Sequence, residues 1–172
     1  MLVFRNVATA FLMNGNDFLL MERAKENDLM PSFWYGVGGH LEQDELNNPR
    51  AACLREIYEE TGLTENSIEN LQLKYVLLRR SKNETVINYV YFGHSKTRDV
   101  VENDEGTLHW IAKEEVLKYR FIDALKLALK HYFENSNSLD EVLVGVVRSD
   151  NSSSSMSWGV LQNMDGTTVL TL

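Results

Sequence analysis

Three glutamate side chains, Glu56, Glu59 and Glu60, lie within five positions of one another in the stretch REIYEETG at residues 55–62. If this stretch is helical, positions i, i+3 and i+4 share a face, so the carboxylates stand side by side and repel one another. These residues alone leave two interpretations open. The carboxylates form a solvated acidic surface, or they form a site for a hard cation such as Mg²⁺, which prefers oxygen ligands.

The sequence around the glutamates carries signals for both ends of a helix. Asn48 suits the N-cap, Pro49 suits the first helical position, and Gly62 suits a left-handed residue after the last turn. We therefore predict a helix over about residues 49–61. At about 100° per residue, the glutamates fall on one side. The opposite side is expected to pack on the protein and carries Leu54, Ile57, Tyr58 and Thr61.

Apolar runs before and after this helix predict a sheet. NVATAFLM and DFLLMER flank Asn-Gly-Asn at residues 14–16, and Asn-Gly between such runs is a strong hairpin signal. The runs at 71–80 and 85–94 predict a second antiparallel pair, because they are rich in β-branched and aromatic residues. A short strand is expected at 107–111.

The C-terminal third of the chain predicts a second helix and a last hairpin. The segment 122–135 has apolar residues at helical spacing on one stripe, which comprises Leu125, Ala128, Leu129 and Tyr132. After residue 138, EVLVGVV and SWGVLQ flank a serine-rich segment that is typical of a loop. The sequence does not decide whether this hairpin packs on the core or forms a dimer contact, so a monomer and a homodimer both stay open.

Composition limits the class of protein. The chain has 172 residues, of which 44% are hydrophobic, and this suits one domain core. A net charge of -8 argues against a broad grip on a nucleic-acid duplex. A single cysteine, Cys53, excludes an intramolecular disulfide and fits a reducing compartment, so we expect the cytoplasm. No apolar run reaches 18 residues, so no membrane span is expected.

The stretch GGHLEQDELNNPRAACLREIYEETGL resembles the signature of Nudix hydrolases, which is called the Nudix box, or here the box. The family writes it as G-x5-E-x7-R-E-U-x-E-E-x-G-U, in which U is bulky and aliphatic. Gly39 and Glu45 keep the five-residue gap, but nine residues instead of seven separate Glu45 from Arg55. We place the two extra residues in the loop at 46–48, which tolerates insertion at little entropic cost. The orientation of Glu45, which pairs with the motif arginine in the family, stays open. The second half matches at every position: Arg55, Glu56, Ile57, Glu59, Glu60, Gly62 and Leu63.

The resemblance implies an α/β/α Nudix sandwich with a mixed β-sheet between helices. The Nudix domain is expected over residues 1–137, with residues 138–172 as a hairpin-like extension of the same domain. It also implies Mg²⁺, with Mn²⁺ as an alternative, and a metal-activated water that attacks phosphorus. The implied metal ligands are the Gly39 carbonyl and the carboxylates of Glu56, Glu59, Glu60 and Glu105. The implied catalytic residues are Arg55, Glu59, Glu60 and Glu105.

Several of these assignments have a structural alternative. Glu105 is one of three acids in a short run that also contains Glu102 and Asp104. The alternative is that these acids only keep an exposed loop solvated. Arg23 resembles the family's cleft arginine, which holds a phosphate, or it is a surface strand end. The stretch SFWYGVGGH predicts a substrate-contacting loop that includes Trp34, Gly38 and Gly39, although aromatic residues at a strand start also serve as core. Cys53 is expected in the core, and the four histidines lack paired zinc spacing.

The resemblance implies hydrolysis of a nucleoside diphosphate linked to another group. VENDEGTLHW is similar to the corresponding stretch of MutT-like triphosphatases of oxidised purine nucleotides, which favours a nucleoside triphosphate cleaved to monophosphate and pyrophosphate. The proline that ADP-ribose hydrolases place about fifteen residues beyond the box is absent, and Tyr75 falls too early for the diadenosine-polyphosphate marker. ADP-ribose or nucleotide sugars are the alternative substrates. A non-catalytic nucleotide-sensing domain is a further alternative, although no acid of the box is missing.

Overall fold

The computed structural model describes residues 1, 3–23, 32–101, 104–135, 140–150, 153–163 and 167–168. The described strands are β1 (Val3–Asn14), β2 (Asp17–Arg23), β3 (Trp34–Tyr35), β4 (Val37–His40), β5 (Ile68–Arg80), β6 (Glu84–Ser95), β7 (Gly106–Ala112), β8 (Leu143–Ser149) and β9 (Ser154–Val160). The helices are α1 (Pro49–Thr61), α2 (Lys113–Val116) and α3 (Asp123–Asn135), with 3-10 helices at Gln43–Glu45 and Glu65–Ser67. No helix of the described segments has the length and apolar character that crossing a membrane requires.

The first two strands form the predicted hairpin. Asn14 lies opposite Asp17, so Gly15 and Asn16 make the turn. Gly15 has φ +61°, which a glycine adopts without the steric cost that a Cβ brings. The Asn-Gly signal in the sequence therefore identified the turn correctly.

The described strands form one mixed sheet in the order β3-β2-β1-β6-β5-β8-β9. β1 pairs in parallel with β6, and β5 pairs in parallel with β8, while the other pairs are antiparallel. β1 pairs with β2 only at residues 12–14, and further back it pairs with β4 at residues 7–10. β2 meanwhile pairs with β3 and β7. The sheet therefore splits between β1 and β2, and this split opens a cleft.

Helices cover both faces of the sheet, as the α/β/α expectation requires. On one face, α1 buries Ala52, Cys53 and Ile57 in a cluster with alternate residues of β1 such as Ala8 and Ala10. On the other face, α3 buries Leu125, Ala128 and Leu129 against Phe11, Tyr75 and Phe92. The alternation of β1 residues between the two clusters follows from the two-residue period of a strand.

The predicted C-terminal hairpin is present and extends the sheet. β8 and β9 are antiparallel, and β8 pairs with β5 from Tyr75 opposite Leu143 onward. The Trp158 ring lies 5.2 Å from the ring of Tyr75 and 4.6 Å from that of His131 on α3. The hairpin therefore packs on the core. The division of the chain at residue 137 stays a prediction.

The buried face of α1 differs from the face that the sequence predicted. Ile57 and Thr61 are buried as expected, but Tyr58 is 58% exposed and Glu60 only 2% exposed. The reason is that α1 rests on β4, whose glycines leave room for a long side chain beneath the helix. The predicted separation of an acidic face from a packing face was therefore wrong for Glu60 and Tyr58.

Candidate active site

The helix α1 that carries the glutamates is fixed at both ends by the residues that the sequence suggested. The side chain of Asn48 accepts a hydrogen bond from the backbone N–H of Ala51 at 3.2 Å. Gly62 ends the helix with φ +74°, and its N–H donates to the carbonyl of Tyr58 at 2.8 Å. These caps set where α1 begins and ends, so the spacing within the box translates directly into positions on one helix.

Glu60 is held beneath α1 by the glycine strand β4. The backbone N–H of Gly38 donates to Glu60 Oε2 at 2.6 Å. Gly38 has φ +147°, and a Cβ on this residue would lie 2.1 Å from the carbonyl oxygen of Ala8. Only glycine therefore lets β4 approach β1 this closely while it presents its N–H to the carboxylate.

The environment of Glu60 disfavours a negative charge. Burial raises the pKa of this carboxyl to about 8, and the nearby charges of Glu105 and Glu56 act in the same direction. The Gly38 hydrogen bond and the charge of Arg23 oppose the rise in pKa. A carboxylate in this position is stabilised when a cation arrives.

Arg55 organises the other acids of the box. Its Nε and Nη2 donate to the two oxygens of Glu45 at 2.9 and 2.8 Å. Its Nη1 donates to Glu56 Oε1 and to Glu59 Oε2, each at 2.9 Å, and Nη2 also reaches the carbonyl of His40 at 3.1 Å. The hydrogen bonds from Arg55 lower the pKa of Glu45. The two-residue insertion therefore leaves the pairing of Glu45 with the arginine intact.

Gly39 and Glu56 are in close contact. A Cβ on Gly39 would lie 2.5 Å from Glu56 Oε2, so the absence of a side chain makes room for this carboxylate. Burial is the largest cause of a raised pKa for Glu56, and the charges of Glu59 and Glu105 contribute to it. Glu56 thus shares with Glu60 an environment in which a cation relieves electrostatic repulsion.

A cavity of about 250 Å³ opens at the split of the sheet, and it brings together most of the residues predicted to contact substrate. Its walls include Arg23, Gly38, Gly39, Glu60 and Glu105. Glu105 immediately precedes β7, where its charge acts on both Glu56 and Glu60. Of the alternative acids, Asp104 is exposed, as Glu105 is, but does not line the cavity, and Glu102 lies outside the described residues.

The structure does not bring Trp34 to this cavity. Its ring lies 4.3 Å from the ring of Tyr119, tilted by 47°, and 5.1 Å from the ring of His109. The next residue, Tyr35, lines the cavity instead, and the Arg23 guanidinium lies 5.6 Å from its ring. Successive side chains of a strand point to opposite faces, so only one of the two aromatic residues can face the cleft. The sequence pattern did not indicate which one.

The donor set at this end of the cavity fits a hard divalent cation. The candidate ligands are oxygen atoms, and burial raises the pKa of two of the carboxyls. Within the described ranges, no three His, Cys, Asp or Glu side chains stand close enough together to hold a metal ion. Arg55 occupies one oxygen each of Glu56 and Glu59. Carboxylate and carbonyl oxygens are donors of the kind that a hard divalent cation takes when it keeps several of its waters.

Comparisons with known proteins agree with this geometry. A family model described as the NUDIX domain matches residues 3–142. The mutator MutT protein from Bacillus halodurans is similar at 20% sequence identity and a TM-score of 0.66, over 91% of this chain and 97% of that chain. The MutT protein from Methanosarcina mazei Go1 is similar at 22% identity and a TM-score of 0.62, over 80% and 97%. An Ap4A hydrolase from C. elegans, in a binary complex, is similar at 18% identity and a TM-score of 0.61, over 77% and 96%. These structural likenesses show a shared fold.

Proposed function

Since the chain belongs to the Nudix family and is a pyrophosphohydrolase of that type, we propose that it hydrolyses a nucleoside triphosphate, including oxidised forms, to the monophosphate and pyrophosphate. Nudix hydrolases generally use divalent metal ions and act on small nucleotides. Mg²⁺ is the proposed metal here, with Mn²⁺ as a substitute. The observation that carries the proposal is the cavity that joins Arg23 to the buried carboxyl of Glu60 and to Glu105.

The proposed metal ligands are the carboxylates of Glu56, Glu59, Glu60 and Glu105 together with the carbonyl of Gly39. A bound divalent ion supplies an activated water and neutralises charge on the phosphoryl oxygens. Charge stabilisation has to come from cations because phosphoryl transfer spreads negative charge over these oxygens. The chain's own part is to place Glu60 and Glu105 on the wall of one cavity, with Glu56 beside Gly39, before the substrate binds.

The proposed roles of Glu60, Arg23 and Arg55 rest on their hydrogen bonds and on their positions relative to the cavity. Glu60 Oε2 is occupied by the Gly38 N–H, so its Oε1 is left to bind the cation or to accept a proton from the attacking water. Arg23 lies on the cavity wall, where its guanidinium is placed to bind a phosphate of the substrate. Arg55 is outside the cavity walls, and its hydrogen bonds to Glu56 and Glu59 make it a positioning residue.

The proposal is tested by a substrate panel measured side by side with Mg²⁺. The panel contains the ordinary NTPs and dNTPs, 8-oxo-dGTP, ADP-ribose, nucleotide sugars and a dinucleoside tetraphosphate. We expect a triphosphate to give the highest kcat/KM, with pyrophosphate as a product. A preference for ADP-ribose or a sugar nucleotide by more than about tenfold, or 1.4 kcal/mol of transition-state binding, would overturn the triphosphate assignment. Binding of a nucleotide with no turnover of any would favour the sensing domain.

Two further assignments belong to this proposal. We place the protein in the cytoplasm because its single cysteine, Cys53, is a free and buried thiol, which suits a reducing compartment. We propose that it works as a monomer or a homodimer. Size-exclusion chromatography with light scattering distinguishes these two states.

A further inference from the structure

The strand β9 lies at one edge of the sheet, and its outer side carries unused backbone hydrogen-bonding groups. β9 is last in the strand order, and within the described segments it pairs only with β8. The N–H of Asp150 donates to the carbonyl of Ser153 at 3.0 Å. At the other end of the hairpin, the N–H of Leu161 donates to the carbonyl of Val142 at 2.8 Å. Because hydrogen-bonded pairs alternate along an antiparallel ladder, every second residue of β9 directs its N–H and C=O away from β8. These residues are Ser154, Met156, Trp158 and Val160.

β9 lacks the features that usually keep an exposed edge strand from pairing. Its sequence, SSMSWGV, contains no charged residue and no proline. Its register with β8 runs without a bulge from Ser154 opposite Ser149 to Val160 opposite Leu143. Natural proteins commonly place lysine, proline or a bulge on an exposed edge, because a free edge is a template for another strand. β9 is therefore open to a partner strand along its whole length.

We propose that β9 pairs antiparallel with β9 of a second copy of this chain, so that the two sheets join into one across a two-fold axis at Ser157. A second copy fits because two identical strands paired in this way are related by such an axis, and each presents the same free groups to the other. With Ser157 on the axis, Met156 lies opposite Trp158 of the second copy, and Ser154 lies opposite Val160 of the second copy. Every outward-facing N–H and C=O of β9 then has a partner.

The side chains of β9 suit this pairing on both faces of the sheet. On the α3 face, Met156 and Trp158 pack over Gly145 of β8, where a Cβ would lie 2.8 Å from the Met156 sulfur and 2.7 Å from the Trp158 ring. Pairing brings each Met156 beside the Trp158 ring of the other copy, and methionine sulfur makes favourable contacts with aromatic rings. The other face of β9 carries only small, exposed residues, which are Ser155, Ser157 and Gly159. Neither face places a bulky or charged side chain of β9 in the way of the second copy.

A groove beside β9 gives the second copy apolar surface to cover. It has a volume of about 250 Å³ and lies between α3 and β9, with Leu127, His131, Met156 and Trp158 among its walls. In the proposed pair, Trp158 of the second copy stands one strand spacing, about 4.8 Å, beyond Met156 on the same face. Its ring therefore lies at the open side of the groove, where it removes Leu127 and Met156 from water.

The pairing leaves the candidate active site open. Among the described residues, the walls of the cleft cavity include none from β8 or β9. The inference therefore goes beyond the proposed function and does not depend on the substrate. Turnover serves as a separate measurement, which a failure of the dimer would not change.

The test places a charge on the two-fold axis. When β9 pairs with β9, two lysines stand directly opposite each other in Ser157→Lys, as do two glutamates in Ser157→Glu, and like charges in this position are destabilising. A one-to-one mixture of the two variants puts opposite charges there instead. Ser81→Lys, at an exposed position between β5 and β6, is the control for added charge. Dissociation constants are measured by sedimentation equilibrium, and kcat/KM is measured for each protein.

We expect the unaltered protein and Ser81→Lys to form dimers with dissociation constants in the micromolar range, because one pair of strands is a small interface. Each Ser157 variant alone should dimerise about tenfold more weakly, and the mixture should recover the affinity to within about twofold. The kcat/KM of every protein should stay within about twofold of the unaltered value.

Amide hydrogen exchange locates the contact on β9. It is measured at a concentration at which the unaltered protein is a dimer and Ser157→Lys is a monomer. The N–H groups of Met156 and Trp158 should exchange at least about tenfold more slowly in the dimer, whereas those of Ser155 and Gly159, which face β8, should be protected in both.

Three results would overturn the inference. The unaltered protein is monomeric even at millimolar concentration, or its dimer is not weakened by Ser157→Lys, or the mixture is no tighter than the single variants. The last two results would place the contact on another surface. None of the three changes the triphosphate assignment, which fails only on the substrate panel.

Discussion

Replacing Glu60 with glutamine should stabilise the metal-free protein at alkaline pH. The side chain is 2% exposed, and burial raises the pKa of its carboxyl to about 8. Glutamine has nearly the same size and can still accept the hydrogen bond from the Gly38 N–H. The substitution therefore removes a buried charge without creating a cavity.

The pH at which the effect appears follows from the direction of the shift. The folded protein holds a proton on Glu60 up to about pH 8, whereas the unfolded chain releases it near the ordinary value of 4.5. Stability from this group is fully present below about pH 4.5, and it is lost as the pH rises through 8. At about 1.4 kcal/mol per pH unit between these two pKa values, the free energy of unfolding falls by about 5 kcal/mol at most. Relaxation of the structure around the charged Glu60 reduces this loss to about 2–4 kcal/mol.

The assay is denaturant unfolding in EDTA at pH 5.5 and pH 8.5. The free energy of unfolding of Glu60→Gln should exceed that of the unaltered protein by about 2–3 kcal/mol more at pH 8.5 than at pH 5.5. Glu59→Gln is the control, because Glu59 lies on the same helix with a side chain that is 54% exposed. It should change stability by about 0.5 kcal/mol at most. An advantage of Glu60→Gln that is equal at both pH values would refute the reasoning about its burial.

The same variant links stability to catalysis. Because the charge of Glu60 is costly without a cation, Mg²⁺ should raise the Tm of the unaltered protein at pH 8.5 more than that of Glu60→Gln. Turnover of the best substrate at saturating Mg²⁺ should fall by several orders of magnitude in the variant. Unchanged turnover would remove Glu60 from the site, whatever the stability measurements show.

Three further predictions concern the supports of the site. Gly38→Ala should lower the free energy of unfolding, measured with denaturant, by more than about 2 kcal/mol, because the new Cβ would lie 2.1 Å from a backbone oxygen. Gly15→Ala is the control and should lower it by about 1 kcal/mol, because no atom lies within 4 Å of its Cβ position. Arg55→Lys should lower kcat/KM by about tenfold through loss of its two-pronged hydrogen bond, and Arg50→Lys should not, since Arg50 bonds an exposed glutamate. Burial raises the pKa of the Cys53 thiol, so it should resist a thiol reagent at pH 8 until the protein unfolds, and Cys53→Ala should keep its kcat/KM.

The parts of the fold that the sequence predicted well are those set by local chemistry. The boundaries of α1 were correct because Asn48, Pro49 and Gly62 satisfy the backbone groups at its ends. The first hairpin was correct because Gly15 favours a left-handed turn. The strand order was not predictable in the same way, since the parallel pairs of β1 with β6 and of β5 with β8 join distant segments.

The features of the site that the sequence missed depend on tertiary packing. Helical periodicity placed Glu60 on the side opposite the packing side, but it is buried because the glycines of β4 lie beneath it. The sequence likewise gave no reason to prefer Tyr35 over Trp34 for the cavity wall, because the choice depends on which strand face meets the cleft.

The two-residue insertion shows which spacings in the box are physically constrained. Positions from Arg55 to Gly62 lie on one rigid helix and its cap, so a change of one residue there would rotate the carboxylates by about 100°. The gap before the helix is a loop between two fixed points, and the N–H of Asn48 donates to the carbonyl of Glu45 at 2.7 Å across it. Leu46, inside this loop, is 47% exposed, so the extra length is accommodated at the surface. A search for related chains should therefore fix the spacing within the helix and leave this gap free.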